Sequence, residues 1–434
     1  MTRRTTRNPQ NTQKNLSSAS SARSALIVVV PGDLEMRTGG YGYDRRIIAG
    51  LRGRGWSVDV RRLDDSFPTP TPAARAHAAQ VLADIPDGSA VLVDGLALGA
   101  LPVEVEREAA RLKIVALVHH PLAAETGIDP AVAAALESSE RRALAAVRSV
   151  VVTSRATAAR LTEYGVPLDR ISVVEPGTDP APLARGSAVS SRQSARRYDP
   201  LAIAHQPSAI IHQPCEVALL CVATLTPRKG YELLLRALAA VPHRNWRLTC
   251  AGSLDRDRPT VARVRAQLRD SGLEDRVSLV GDLDAAAVAA QYDRADVFVL
   301  PTLYEGYGMA VAEALARGLP VISTATGAIA DLVLVPRNGG VRLRASAPRL
   351  VDGASARPGR SAEREGGQPD RCAGIVVPPG DLAAFTDALS RVIGDADLRA
   401  RLAEGARRVR EHLPTWDASA ASMAQALEQV AQKE

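Results

Sequence analysis

Two carboxylates, Glu305 and Glu313, stand with seven residues between them in the stretch Val297 to Gly318, V-F-V-L-P-T-L-Y-E-G-Y-G-M-A-V-A-E-A-L-A-R-G. Val297-Phe298-Val299-Leu300 is a short apolar run suited to a strand buried on both faces. Pro301 ends it, having no N–H to give a ladder. Gly306 and Gly308 bracket Tyr307 and permit a tight turn. Met309 to Arg317 are good helix formers, and Gly318 is the stop. The unit reads as strand, glycine loop, helix. A helix that starts after such a loop points free N–H groups and the positive end of its dipole outward, which suits a phosphate. Carboxylates there would repel a phosphate but accept hydrogen bonds from hydroxyls. A ligand offering both groups is a nucleotide sugar. A plainer account weighs the same: Glu305 as a favourable helix-end charge and Glu313 as a solvated helix residue.

Other residues of the right type fall at strand ends. In Ala223-Thr224-Leu225-Thr226-Pro227-Arg228-Lys229-Gly230, two adjacent cations follow a strand and precede a helix. That placement suits a diphosphate, at ~1.5–3 kcal/mol per charge-assisted hydrogen bond, and it also suits a solvated basic turn. His119 and His120 end another strand and are followed by Pro121 and Glu125-Thr126-Gly127. A lone histidine is usually structural, whereas a pair at a strand's carboxyl end points to a site. Gly39-Gly40 allows close backbone approach to a ligand, or simply a tight turn.

The two glutamates inside E-G-Y-G-M-A-V-A-E-A-L-A resemble the E-x7-E signature of the retaining glycosyltransferases of family 4, which have the GT-B fold. The resemblance implies that Glu313 holds the donor's ribose hydroxyls and that Glu305 contacts the sugar ring. The backbone of Gly306, Tyr307, Gly308 and Met309 would face the donor's sugar and phosphates. The 223–230 stretch resembles the family's donor-phosphate motif. Lys229-Gly230 matches, the expected Gly-Arg pair is Ala223-Thr224 here, and Arg228 is the candidate substitute for the missing arginine. Val277 to Leu283 resembles the strand and loop that contact the nucleobase, through the backbone of Leu283. The family often places a histidine at the position of His119 or His120, near the donor sugar and the reaction centre; His120 is favoured. Gly39 and Gly40 match its N-terminal glycine pair, on the pyrophosphate and acceptor side.

The implied activity is retaining transfer of a hexosyl group from a UDP-, GDP- or ADP-sugar to a hydroxyl of a glycan, a lipid-linked or a small-molecule acceptor. Neither a metal nor a cofactor is expected, because cations and a helix N-terminus would neutralise the leaving diphosphate. A non-catalytic GT-B protein that binds a sugar nucleotide is the reading from another class. Glu305, Glu313 and Lys229 weigh against it, and Thr224 for it. A nicotinamide dehydrogenase is disfavoured, since no G-x-G-x-x-G opens a helix.

The elements that must position these residues follow from the rest of the chain. It has 434 residues, room for two domains, with 46% hydrophobic but only 3% aromatic residues. Its cores must be built from Ala, Val and Leu, as in a parallel α/β protein. The net charge is +6, with Arg3, Arg4, Arg7 and Lys14 in a basic tail. That suits peripheral contact with an anionic membrane or an anionic substrate, and a solvated surface suits it equally. No basic stripe interleaved with aromatics supports nucleic-acid binding. Cys215, Cys221, Cys250 and Cys372 lack the spacing of a zinc site or a disulfide framework. A cytoplasmic location is expected: the first 24 residues lack the apolar run of a signal peptide, and no stretch reaches the ~18 apolar residues of a spanning helix.

The domain organisation is read as a disordered tail (1–24), an acceptor-side domain (25–185), a linker (186–214), a nucleotide-sugar-binding domain (215–395) and helices returning to the first domain (396–434). A low-complexity insertion (335–371) interrupts the second domain. The first begins with a strand Ala25 to Val30, a glycine loop and a helix from Asp44 to Arg54. Alternating strands and helices make both domains Rossmann-like, so the expected fold is α/β: GT-B, two parallel-sheet domains facing across a cleft.

Overall fold

A computed structural model describes residues 25–187, 216–334 and 372–432. Expectations for the tail, for most of the linker and for the insertion 335–371 lie outside the described residues.

Six parallel strands form the first sheet: β1 (Ala25–Pro31), β2 (Ser57–Leu63), β3 (Ala90–Asp94), β4 (Lys113–Val118), β5 (Ser149–Val152) and β6 (Ile171–Val173), in the order β2-β1-β3-β4-β5-β6. Six more form the second: β7 (Val217–Val222), β8 (Trp246–Ala251), β9 (Val277–Gly281), β10 (Val297–Leu300), β11 (Val321–Thr324) and β12 (Gly374–Val377), in the order β12-β11-β10-β7-β8-β9. Both sheets are parallel throughout. Their central strands are almost wholly aliphatic and buried, as sheets covered on both faces require. The strand order reverses between β1 and β3, and again between β7 and β10. In open parallel sheets a crevice opens at that reversal, outside the carboxyl ends of the strands.

The Gly39–Gly53 helix begins five residues before the expected start at Asp44. Thr38 is the reason: its hydroxyl accepts the Tyr41 N–H at 3.3 Å, so the glycine pair forms the first turn rather than a loop. Among the described residues, four α-helices were not anticipated: Pro72–Ala83, Gly95–Leu98, Pro102–Glu108 and Ile329–Val333. The first is alanine-rich, so its apolar stripe is faint. Its start is nevertheless conventional, with Thr71 accepting the Ala74 N–H at 3.1 Å and Pro72 opening the helix.

The C-terminal helices divide between the domains, which corrects the boundary set at residue 396. Leu402, Ala406 and Val409 of the Ala396–Val409 helix are buried in the second core with Phe385 and Leu389 of the Leu382–Gly394 helix. The Trp416–Gln432 helix packs into the core of the first domain. There Met423, Ala424, Ala426, Leu427 and Val430 join Leu26, Val28, Ile47 and Leu51 in one cluster. The chain leaves the first domain along Val174–Asp179 and returns through Pro414–Trp416, and these crossings touch. Thr178 N–H donates to Pro414 O at 2.7 Å, and Ser419 Oγ to Glu175 O at 2.7 Å.

Gly50 faces Ala420 so closely that a Cβ added to Gly50 would overlap the alanine methyl. Glycine to alanine inside a helix ordinarily gains up to ~1 kcal/mol. Here overpacking should reverse that sign, and Gly50→Ala is expected to destabilise the protein by ~1–3 kcal/mol. Urea unfolding of wild type and variant measures this; a more stable variant would refute the close crossing.

Candidate active site

Strand ends of both reversals meet in one place. The Pro301–Gly308 loop follows β10, and Pro227-Arg228-Lys229 follows β7, its neighbour in the sheet. Lys229 Nζ donates to Glu305 Oε2 at 2.6 Å. Arg228 Nη1 donates to Tyr304 O at 2.9 Å and lies 3.8 Å from Glu305 Oε1. Burial pushes the Glu305 carboxyl up, but Lys229 and then Arg228 outweigh it and hold it below its ordinary value. The backbone fixes this carboxylate in place: Glu305 N–H donates to Thr326 Oγ1 at 3.0 Å, and Gly327, at φ 57°, lies against Glu305 O, leaving no room for a Cβ.

The first domain presses onto this loop. A Cβ on Gly306 would overlap the carbonyl oxygen of His119, and Gly39 lies beside Met309. His120 follows β4, with its ring centroid 6.0 Å from Tyr304 and its Nε2 3.8 Å from Glu125. Glu125 Oε1 in turn lies 3.2 Å from Arg228 Nε. Burial lowers the pKa of His120. His119 turns the other way. Its Nε2 is 3.2 Å from Asp44 Oδ1 and 3.7 Å from Asp94 Oδ2, beneath Gly40. Burial disfavours its charge, yet the Asp44 and Asp94 carboxylates raise its pKa. Burial and then Asp44 push Asp94 up to about 7. Asp44, Asp94 and His119 present ligand atoms within 4.8 Å of one another, and among the described residues this is the group that could hold a cation.

The structure thus brings together Glu305, Gly306, Arg228, Lys229, His120, the His119 backbone, Gly39, Gly40 and Met309. Three sequence candidates stand apart from that cluster. Glu313, one turn into the Met309–Ala316 helix, has Oε2 3.1 Å from Tyr292 Oη, and burial raises its pKa. Tyr307 packs its ring on Ala312 and Ala328, leaving only its backbone to face a ligand. Leu283 follows β9, at the far edge of the second sheet. Gly308, at φ 99°, caps the Met309–Ala316 helix. Sequence reasoning missed Asp44, Asp94, Glu125 and Glu140. Asp94 carried the same signal as the histidines, a polar residue at a strand's carboxyl end.

Residues 216–356 match the family described as glycosyl transferases group 1, and residues 90–182 match Glycosyltransferase Family 4. The D-inositol 3-phosphate glycosyltransferase of Xylanimonas cellulosilytica is 29% identical over 294 residues, 65% of this chain and 57% of that protein. The MMP alpha-(1->4)-mannosyltransferase of Mycolicibacterium hassiacum is 24% identical over 381 residues, 84% of this chain and 77% of that one. The match spans 52% of the D-inositol 3-phosphate glycosyltransferases of Corynebacterium glutamicum and Salinispora arenicola, so the chain spans about half the length of several of its relatives. Among solved structures, the sucrose-phosphate synthase of Thermosynechococcus elongatus superposes with a TM-score of 0.68 at 20% identity, over 94% of this chain and 99% of that one. Anabaena Alr3699/HepE in complex with UDP-glucose gives 0.63 at 16% identity, over 93% and 99%. At these identities the likeness is one of fold. Two six-stranded parallel sheets with a helix returning to the first, in this company, define a GT-B protein. The chain belongs to the family 4 glycosyltransferases.

Glu140 supports the loop that carries the histidines. Its Oε2 accepts the Leu122 N–H at 3.0 Å, and its Oε1 is buried without a hydrogen-bond partner among the described residues. Burial raises its pKa to about 8. The folded protein then binds this proton more tightly than the unfolded chain, whose value is ~4.3. Its contribution to stability is therefore full at low pH and is lost as pH rises from there to about 8. Glu140→Gln keeps an acceptor for Leu122 and cannot ionise. Its melting temperature relative to wild type should climb between pH 5 and pH 8.5. A pH-independent difference, read by circular dichroism, would overturn the assignment.

Proposed function

We propose that the protein is a retaining glycosyltransferase, moving a hexosyl group from a nucleoside-diphosphate sugar to an acceptor hydroxyl. One observation carries this reading: Arg228 and Lys229 converge with Glu305 at the β7–β10 reversal, beside the start of the Met309–Ala316 helix. Two cations and outward-pointing helix amides suit a leaving diphosphate whose charge grows as the glycosidic bond breaks. On this reading no metal is required. Glu305 orients the sugar and stabilises positive charge developing on its ring, and Glu313 accepts hydrogen bonds from the ribose. Gly39 and Gly40, with the 119–127 loop, bound the acceptor side. The relatives' names, inositol-phosphate glycosyltransferase and mannosyltransferase, are consistent with a sugar nucleotide and a hydroxyl acceptor. Among the described residues no helix is long and apolar enough to cross a membrane.

A thermal-shift screen against UDP-, GDP- and ADP-sugars tests the donor. The right one, at 100 times its dissociation constant, should stabilise by ~2.7 kcal/mol. Binding without transfer or donor hydrolysis would instead favour a non-catalytic sugar-nucleotide binder. The two glutamates should then separate kinetically. Glu313→Ala removes a contact made in ground and transition states alike and should mainly raise KM for the donor. Glu305→Gln keeps the shape but loses the charge, and should lower kcat by an amount equivalent to ~2.7–4 kcal/mol, by analogy with oxyanion-hole donors. Wild-type turnover in Glu305→Gln would end its catalytic role.

A further inference from the structure

Each cation of the 227–229 turn is already engaged by a carboxylate, and the two carboxylates differ in how firmly they are held. Glu305 is tied through its own backbone to Thr326 and has a side chain only 15% exposed. Glu125 belongs to the other domain, on the loop after β4, and its side chain is 40% exposed. Its contact with Arg228 is close at 3.2 Å but lies off the N–H direction, so Arg228 Nε is buried without an aligned hydrogen-bond acceptor among the described residues. Glu125 Oε1 also accepts the neighbouring Thr126 N–H at 3.3 Å, and His120 Nε2 lies within reach of its other oxygen at 3.8 Å. The two loops are in contact here, since Gly127, at φ 83°, lies against Pro227.

We propose that Glu125 is an internal anion of the donor site, occupying Arg228 until a diphosphate displaces it. The inference rests on the donor-site reading above. An incoming diphosphate carries at least two negative charges and offers oxygens in many directions. It can align with Arg228 Nε where Glu125 does not, and charge-assisted pairs of good geometry are the stronger ones. Glu125, being the outer carboxylate, can leave without disturbing Glu305 and turn to His120. Until then Glu125 spans the two domains and holds the 119–127 loop against the 227–229 turn. It makes the empty site neutral, because Arg228 and Lys229 face Glu125 and Glu305. It also competes with every anionic ligand of that site, product diphosphate included.

An ordinary ligand-binding residue weakens binding when it is removed; an internal anion does the opposite. Isothermal titration of the full chain with UDP, GDP, ADP and inorganic pyrophosphate, in wild type and Glu125→Gln, reads this sign. Whichever of these bind wild type should bind Glu125→Gln about one-and-a-half- to fivefold more tightly, the range of one partly screened charge pair. Pyrophosphate reports on the cations without a nucleobase. The gain should shrink at high ionic strength. Glu106→Gln, which neutralises an exposed carboxylate paired with Arg142, controls for net charge and should leave affinity unchanged. Unchanged or weaker binding in Glu125→Gln, with a normal melting temperature, would overturn the proposal and leave the donor site standing. If none of the four anions binds either protein, the donor-site reading fails, and the proposal with it. Should Glu125→Gln not fold, Glu125→Asp keeps the charge on a shorter stem, reaches Arg228 less well, and should still tighten binding.

Discussion

Two cations placed side by side near a domain junction, with most of their surface out of water, repel one another unless anions sit with them. Arg228 and Lys229 meet that condition through Glu305, which lies between them and is held below its ordinary pKa by both. Much of the surrounding backbone serves the position of that one carboxylate. Thr326 binds its amide, and Gly327 leaves room for its carbonyl. Gly230, at φ 70°, lets the turn with both cations pass under Pro301. A charge cluster of this kind fixes geometry before any ligand arrives, at the cost of a field that a ligand must rearrange.

Backbone proximity is the second constraint. Part of the contact between the domains runs through main-chain atoms. Gly306 faces the carbonyl of His119, and Gly39 lies beside Met309. A side chain at Gly306 would hold the two domains apart. The same contacts separate the two neighbouring histidines by role. The chain bends just past the end of β4, at His119 and His120. His119 enters a buried carboxylate pair in the first domain, while His120 faces the second domain's charge cluster.

How far the sequence alone reached depends on the range of the interactions. Strands such as Val297–Leu300, and the glycine loop after it, have local causes, and they were legible. So were Lys229 and Glu305, because both lie in short motifs at strand ends. The Pro72–Ala83 helix escaped notice because alanine gives little contrast between its faces. The Asp44–His119–Asp94 group was invisible for a different reason: its members come from a helix, the end of one strand and the loop after another, and only strand order brings them together. Glu140, set among Ser138, Ser139, Glu137 and Arg141, looks solvated in the sequence, yet it is only 1% exposed. Its burial is decided by which face of its helix meets the 122–124 turn.

The crossover to the Trp416–Gln432 helix bears on the order of assembly. The first sheet, strands β1 to β6, is made first on the ribosome, yet one face of its core is completed by Met423, Leu427 and Val430. Until those residues emerge, Leu26, Val28, Ile47 and Leu51 lack part of their cover. N-terminal domains generally fold as soon as they leave the ribosome. Here the second domain, whose core ends by Val409, has all its sequence before the first does. The nascent first domain therefore keeps one apolar face uncovered until the end of the Trp416–Gln432 helix has been made.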